Sequence, residues 1–304
     1  MCGIVGYVGQ EYRAVDVLVD GLRRLEYRGY DSAGVAILEG GEIAVRRAKG
    51  KLINLEGTIR ERPLQGHLGI GHTRWATHGK PSEKNAHPHR AGHVVIVHNG
   101  IIENYRALRS QLEERGADIQ SDTDSELIAH LIDERVGEGK DLLTAVRESC
   151  GDLVGSYALA AICDQDPGLL VTAKNGGSPI IIGQGDKQSF LASDIPAVLP
   201  YTREIISLHD GDFAALTEEG AQVCDISGHP IDREFSVVQW DPVSAEKGGF
   251  DHFMQKEIFE QPRAITDTIG TRINEAEFDV DLDGIEFTKS ELDDLQGVTL
   301  VACG

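Results

Sequence analysis

The apolar residues of this chain come in short runs broken by glycine-rich turns, and that pattern restricts the fold more than any other feature. Tyr157 to Cys163, Leu169 to Ala173, Pro179 to Ile182, Phe190 to Ala192, Ile205 to Leu208 and Phe213 to Leu216 are mostly apolar on successive residues. Strands covered on both faces have that texture, whereas a half-solvated strand alternates. Ile4 to Val8, Val35 to Leu38, Ile43 to Arg46, Gly69 to His72 and Val94 to His98 are read as further strands, with Asn99-Gly100 ending the last. Helices are predicted at Ala14 to Leu25, where Val15, Val17, Leu18, Leu22 and Leu25 recur at helical spacing, and at Glu103 to Arg115 and Ser125 to Val136. Ser121-Asp122-Thr123-Asp124, residue types that cap helix N-termini, precede the last of these. A layered α+β domain with helices outside two sheets fits the pattern.

Beyond about Trp240 the texture changes. Phe250 to Arg272 reads as a helix interrupted at Pro262, and from Glu275 to Asp294 nine acidic residues face a single Lys289. Such a stretch is expected to be a linker or a solvated face. The final run, Val298 to Gly304, reads as the first strand of a second domain that continues past the last residue, the alternative being a strand added to the first domain. The boundaries drawn are 2–240 for the main domain, 241–296 for a linker and helical segment, and 297–304 for the opening of the next.

The chain has 304 residues and a net charge of −21, which argues against nucleic acid, because phosphate neutralisation needs a concentrated basic face. No apolar run is long enough to span a membrane, and the start lacks a signal peptide's basic and apolar regions. The five cysteines are odd in number and widely spaced, which suits a reducing cytoplasm.

Cys2 follows the initiator methionine, and the small side chain makes removal of Met1 plausible. A cysteine at a mature N-terminus owns a thiol and an α-amine with ordinary pKa values of about 8.5 and about 7.7–8.0, so it carries its own base. The plainer alternative is a cysteine that merely starts a buried strand. Seven of the eleven histidines lie between His67 and His98, but with no HExxH pattern and no cysteine among them a metal site is not expected, nor is any cofactor. Arg74 has the fork that binds a carboxylate through two charge-assisted bonds, and Asp124 could hold an ammonium. Together they would recognise a zwitterionic amino acid. Asn99 and Gly100 offer a side-chain amide and a backbone N–H, the donors that stabilise a tetrahedral oxyanion; the alternative for Asn-Gly is a hairpin turn.

Cys2-Gly-Ile-Val-Gly, Leu25-Glu-Tyr-Arg-Gly-Tyr-Asp-Ser-Ala-Gly34, His72-Thr-Arg-Trp-Ala-Thr-His-Gly79, Asn85-Ala-His-Pro-His89, His98-Asn-Gly100 and Ser121-Asp-Thr-Asp124 together resemble the class II glutamine amidotransferases. Met254-Gln-Lys-Glu-Ile-Phe-Glu-Gln-Pro262 resembles the interdomain segment of the branch that passes ammonia to a sugar isomerase half. The resemblance implies an N-terminal-nucleophile fold, a four-layer αββα sandwich with a helical and acidic C-terminal extension. It implies that Cys2 attacks the side-chain amide of L-glutamine, forms a γ-glutamyl thioester and releases ammonia. Arg74, with Thr77 and His78, would bind the substrate α-carboxylate, Asp124 its α-amine, and Asn99 with Gly100 would form the oxyanion hole. Trp75 would gate an ammonia channel, while Arg28 and His87 fall in motifs near the interdomain or nucleophile region. Fructose 6-phosphate would be a partner only through the isomerase half, and the longer protein is expected to be a homodimer. The rival readings are the ammonia-donor domain of another class II branch, a silent regulatory homologue, and an N-terminal-nucleophile peptidase.

Overall fold

Two antiparallel sheets stack face to face, and the residues that line their interface explain the continuous apolar runs. The computed structural model describes residues 2–28, 30–75, 80–238, 250–269, 273–274, 279–280, 288–297 and 299. It divides into two units, residues 1–253 and 254–304.

In the first unit the chain forms β1 (Gly3–Gly9), α1 (Ala14–Arg24), β2 (Ser32–Glu39), β3 (Glu42–Lys49), α2 (Leu52–Glu61), β4 (Leu68–Arg74), β5 (His89–Ala91) and β6 (Val94–Ile102). It continues through α3 (Tyr105–Glu114), α4 (Ser125–Gly137), α5 (Leu142–Cys150), β7 (Gly155–Cys163), β8 (Leu170–Asn175), β9 (Ile181–Gly185) and β10 (Gln188–Ala192). The last strands are β11 (Glu204–Ser207), β12 (Phe213–Thr217), β13 (Gly220–Cys224) and β14 (Ser236–Val237). One sheet has the order β14-β11-β9-β10-β1-β4-β2-β3 and the other β13-β12-β8-β7-β6-β5.

Side chains alternate across each strand, so every strand feeds two apolar layers. Ile4 and Val8 of β1, Leu68 and Ile70 of β4, and Val95 and Val97 of β6 meet between the sheets with Ala158, Ala160 and Ile162 of β7. Val5 and Tyr7 of β1 turn the other way, onto Val17, Leu18 and Leu22 of α1 and Leu52 and Leu55 of α2. Ile96 of β6 and Leu159 of β7 likewise pack under Leu108 and Leu112 of α3, Leu127, Ile128 and Leu131 of α4 and Val146 of α5. The order of layers is therefore helix, sheet, sheet, helix, the four-layer αββα N-terminal-nucleophile sandwich of the α+β class that the resemblance implied.

Asn99-Gly100 does not end its strand, contrary to the sequence expectation: β6 runs on to Ile102, with Asn99 opposite Ala158 and Gly100 opposite Tyr157. Gly100 makes this possible. Its φ of +145° is unfavourable for other residues, and a Cβ there would lie 2.0 Å from Ser156 O. The short helices α2 and α5 went unread in the sequence. In α5 the Asp141 cap, which accepts from Thr144 N at 2.9 Å, was the available signal.

The second unit holds most of the helix α6 (Phe253–Ile269), a two-residue ladder of β15 (Ile273–Asn274) with β16 (Asp279–Val280), and α7 (Lys289–Asp293). α6 passes through Pro262 without the predicted interruption. The proline leaves Ile258 O without its i→i−4 N–H donor, and the helix nevertheless continues to Ile269. Within the acidic stretch, Thr288 and Glu291 form a capping box that starts α7, giving local helix where a linker was expected. The predicted strand from Val298 to Gly304 lies, apart from Thr299, outside the described residues.

Phe190 fills the layer beneath α1, stacked on Tyr201 at 5.1 Å and tilted against Tyr7 at 5.3 Å, with no solvent exposure. Phe190→Ala is expected to cost about 3–5 kcal/mol of unfolding free energy, measured by urea denaturation; a loss below about 1 kcal/mol would show that this layer repacks freely.

Candidate active site

At one end of the sandwich the inter-sheet layer changes from apolar to polar without a break in strand geometry. Counting by twos from Ile70 along β4 brings His72 and then Arg74 onto the inward face, and counting from Val97 along β6 brings Asn99 onto it. Cys2 stands two residues before Ile4, at the start of β1, the strand between β10 and β4. Period-two alternation thus aims Cys2, His72 and Arg74 from one sheet and Asn99 from the other at a common space.

Hydrogen bonds confirm that convergence. Asn99 Nδ2 donates to Cys2 O at 3.1 Å, and the same carboxamide meets His72 Nε2 through Oδ1 at 2.8 Å. Trp75 N–H donates to Cys2 Sγ at 3.1 Å, and the thiol lies 3.4 Å from Trp75 O. Trp75 therefore touches the thiol through its backbone, while its side chain is 54% exposed. Arg74 is buried; its guanidinium stands 3.8 Å from the Asp31 carboxylate, and Arg74 O accepts from Asp31 N at 2.7 Å.

Asp124 reaches the same end from the outer helical layer. It is the residue before α4, yet its side chain makes no capping bond there: Oδ2 accepts from Ile102 N at 2.9 Å, and Ser125 Oγ lies 3.5 Å from Oδ1. The loop before it is held by Glu126, whose carboxylate accepts from Gln120 N at 2.8 Å and Ser121 N at 2.5 Å. Burial opposes ionisation of Glu126, but bonds from His130, Ser121 and Gln120 outweigh it and hold the pKa down to about 2. Asn85 ties this loop to the preceding histidine segment by a reciprocal pair with Asp122, at 3.0 and 2.9 Å.

Four histidines form the wall behind Asn99. His72 and His87 stack at 4.2 Å, His87 meets His89 edge-on at 4.5 Å, and His98 N–H donates to His87 Nδ1 at 3.2 Å. His98 Nδ1 bonds Ser125 Oγ at 2.8 Å, and His89 Nε2 bonds Thr123 Oγ1 at 3.1 Å. Burial is the main reason that all four have lowered pKa values, to about 3 for His72 and His89. Among the described residues no group of three or more His, Cys, Asp and Glu side chains is arranged to hold a metal.

The structure thus brings Cys2, Trp75, Asn99 and the neighbouring Arg74 and Gly100 together, and attaches Asp124 two residues along the strand from Gly100. His87 is not shown in contact with Cys2 but lies behind His72. Arg28 closes a short 3₁₀ turn, Glu26–Arg28, and its side chain lies outside the described residues, as do Thr77 and His78 entirely. Sequence reading assigned no role to Asp31, His72 or Glu126. For His72 the signal existed, two residues before Arg74 on one strand; for Asp31 and Glu126 only the folded contacts reveal it.

A family profile described as "Glutamine amidotransferase domain" matches residues 72–200, from the inward histidine of β4 past the last strand of that sheet's centre. The chain carries a glutamine amidotransferase domain. The domain is similar along the full chain to glutamine–fructose-6-phosphate aminotransferase (isomerizing) from Clostridium perfringens, at 51% identity and 49% of that protein's length. The corresponding proteins of Thermus thermophilus and Aquifex aeolicus are 49% and 47% identical, again over the full chain. The chain spans about half the length of the curated relatives it matches. Among solved structures, glutamine phosphoribosylpyrophosphate amidotransferase from B. subtilis, complexed with ADP and GMP, superposes with a TM-score of 0.65 at 26% identity, covering 75% of this chain and 50% of that one. A glutamine aminotransferase class-II domain protein from Silicibacter pomeroyi shares the fold, with a TM-score of 0.51 at 19% identity, covering 74% of this chain and 99% of that one.

The buried histidines of the amidotransferase domain make a pH prediction. Their folded-state pKa values lie below the unfolded value of about 6.5, so unfolding takes up protons as pH falls below that point and stability declines. Glu126, also lowered, adds its own loss only below its ordinary value of 4.5. Urea midpoints measured between pH 7 and pH 5 are expected to fall with pH, and His89→Gln to flatten the slope by about one proton, about 1.4 kcal/mol per pH unit. An unchanged slope in that variant would contradict the assignment.

Proposed function

We propose that this amidotransferase domain hydrolyses L-glutamine with Cys2 as nucleophile, and that in its longer context it feeds the ammonia to fructose 6-phosphate. The observation that carries the reading is the bond from Asn99 to Cys2 O, with Trp75 N–H on Cys2 Sγ: a thiol and a carboxamide donor are set side by side at the start of a strand.

In this mechanism removal of Met1 frees the Cys2 α-amine, which takes the thiol proton directly or through one water. The thiolate attacks the γ-carboxamide carbon, a C–S bond forms, and negative charge moves to the oxygen. Asn99 Nδ2 and Gly100 N–H stabilise that oxyanion. The ammonium at the N-terminus returns its proton to the leaving nitrogen, the C–N bond breaks, and ammonia departs from a γ-glutamyl thioester. Water then attacks the thioester, giving glutamate and the free thiol. Arg74, steadied by Asp31 and assisted by Thr77 and His78, binds the α-carboxylate, and Asp124 binds the α-ammonium. Trp75, whose backbone touches the thiol and whose side chain is half exposed, gates the exit by which ammonia leaves. Arg28 and His87 contribute to the surrounding motifs rather than to the reacting atoms.

The higher identity to the sugar-phosphate aminotransferases, 51% against 26% for the phosphoribosylpyrophosphate enzyme, supports fructose 6-phosphate as the final acceptor. On this reading residues 2–240 are the glutaminase domain, 241–296 lead towards an isomerase half, and 297–304 begin it. The longer protein would be a homodimer in the cytoplasm; among the described residues no helix is long and apolar enough to cross a membrane.

A glutamine analogue with a γ-electrophile is expected to label Cys2 of the Met1-free chain, as mapped by peptide mass spectrometry. Label at another residue, or none, would overturn the assignment. Cys2→Ala is expected to abolish glutamate and ammonia formation while keeping the circular dichroism spectrum and urea midpoint. The 304 residues alone are expected to convert glutamine without forming glucosamine 6-phosphate from added fructose 6-phosphate; detection of the amino sugar by mass spectrometry would count against the division of labour.

A further inference from the structure

His72 has no part in the mechanism above, yet it makes the only other hydrogen bond of the Asn99 carboxamide among the described residues. A carboxamide has two faces of opposite character, and rotating it by half a turn exchanges donor for acceptor. At Asn99 one side faces Cys2 O, a carbonyl that can only accept, so Nδ2 must point there. Oδ1 is then turned to His72 Nε2 at 2.8 Å, and that nitrogen must carry the proton.

The ring has little freedom to give up this bond. His72 is fully buried and stacked on His87, with an interplanar angle of 19°. His87 is itself pressed onto β2: its carbonyl oxygen comes so near Gly34 that a Cβ there would lie 2.2 Å away. A chain of contacts therefore runs from Gly34 through His87 and His72 to Asn99 and ends at Cys2.

We infer that His72 is a positioning residue, whose Nε2–H fixes the Asn99 carboxamide with its N–H groups towards the nucleophile. Without that donor the amide is free to turn, and the half-turned form presents Oδ1, an acceptor, to the developing oxyanion. The inference rests on the glutaminase reading and adds a residue to it. Burial disfavours the charged imidazolium, so the ring is neutral and its Nε2–H is set by the bond to Asn99.

Two variants separate the donor from the ring. His72→Phe keeps the aromatic stack on His87 and removes the donor, whereas His72→Gln loses the ring and keeps an N–H near the position of Nε2. In the Met1-free chain His72→Phe is expected to lower kcat for glutamine hydrolysis by about 10²-fold, with KM within about threefold, because Arg74 and Asp124 are untouched. His72→Gln is expected to recover at least about tenfold of that loss. Alkylation of Cys2 by iodoacetamide, a displacement that forms no oxyanion, is expected to proceed at the wild-type rate in both. Wild-type kcat in His72→Phe, a parallel loss of iodoacetamide reactivity, or a His72→Gln protein no better than His72→Phe would overturn the inference. Should His72→Phe fail to fold, the kcat of His72→Gln decides: near wild type supports the donor role, a 10²-fold loss refutes it. A wild-type protein that leaves glutamine intact would instead sink the glutaminase reading. The Asn99 side-chain amide resonances would then decide here: a shift in His72→Phe that reverts in His72→Gln supports the bond, and no shift refutes it.

Discussion

Everything at the candidate site depends on two sheets packed face to face over an apolar layer that becomes polar at one end. Ile4, Ile70 and Val97 belong to the dry part of that layer, and Cys2, His72 and Asn99 extend the same three rows by one inward position each. Those three positions are therefore set by strands, whereas Trp75 and Asp124 come from the segments after β4 and before α4. Strand pairing on both sides of β1 fixes where Cys2 can stand, since β4 and β10 are registered against it residue by residue. A side chain held this way needs little further ordering when a ligand arrives.

Polar groups at the end of a core are costly unless they are bonded, and here the solution is a network of neutral imidazoles. His98 links β6 to Ser125 at the start of α4, His89 links β5 to Thr123, and His72 links the two sheets through Asn99. Ionic contacts are placed differently: Arg74 with Asp31 and Glu126 with the loop backbone stand at the edges of the network, where charge has partners close by. The net charge of −21 plays no visible part in this arrangement.

Much of the fold could be read from the chain, for reasons that vary by element. The strands of the inner layer were legible because both their faces are buried, which leaves a continuous apolar run in the sequence. α1 was legible because Val15, Leu18 and Leu22 keep one face to the core. The short helix α2 was not, since only Leu52 and Leu55 of it are buried and Gly57 weakens its pattern. Asn99-Gly100 misled for a related reason. The pair has the chemistry of a turn, but strand partners on β7 hold Gly100 extended in a conformation that glycine alone tolerates, so tertiary pairing overrode local preference.

The sequence by itself determined the inventory of the site: a cysteine at the head of a strand, a guanidinium, a carboxylate and a side-chain amide, each in a motif that could be named with its residue number. Only the tertiary structure decided their mutual geometry. Cys2 and Asn99 are far apart in the chain and meet at 3.1 Å because the strands that carry them belong to different sheets. It also decided that His72 rather than His87 touches the amide, and that Asp124 serves β6 instead of capping its own helix. The physical reason is that alternation along a strand tells which face a residue takes, whereas the register between strands, set by the packing of all of them together, tells what it meets there.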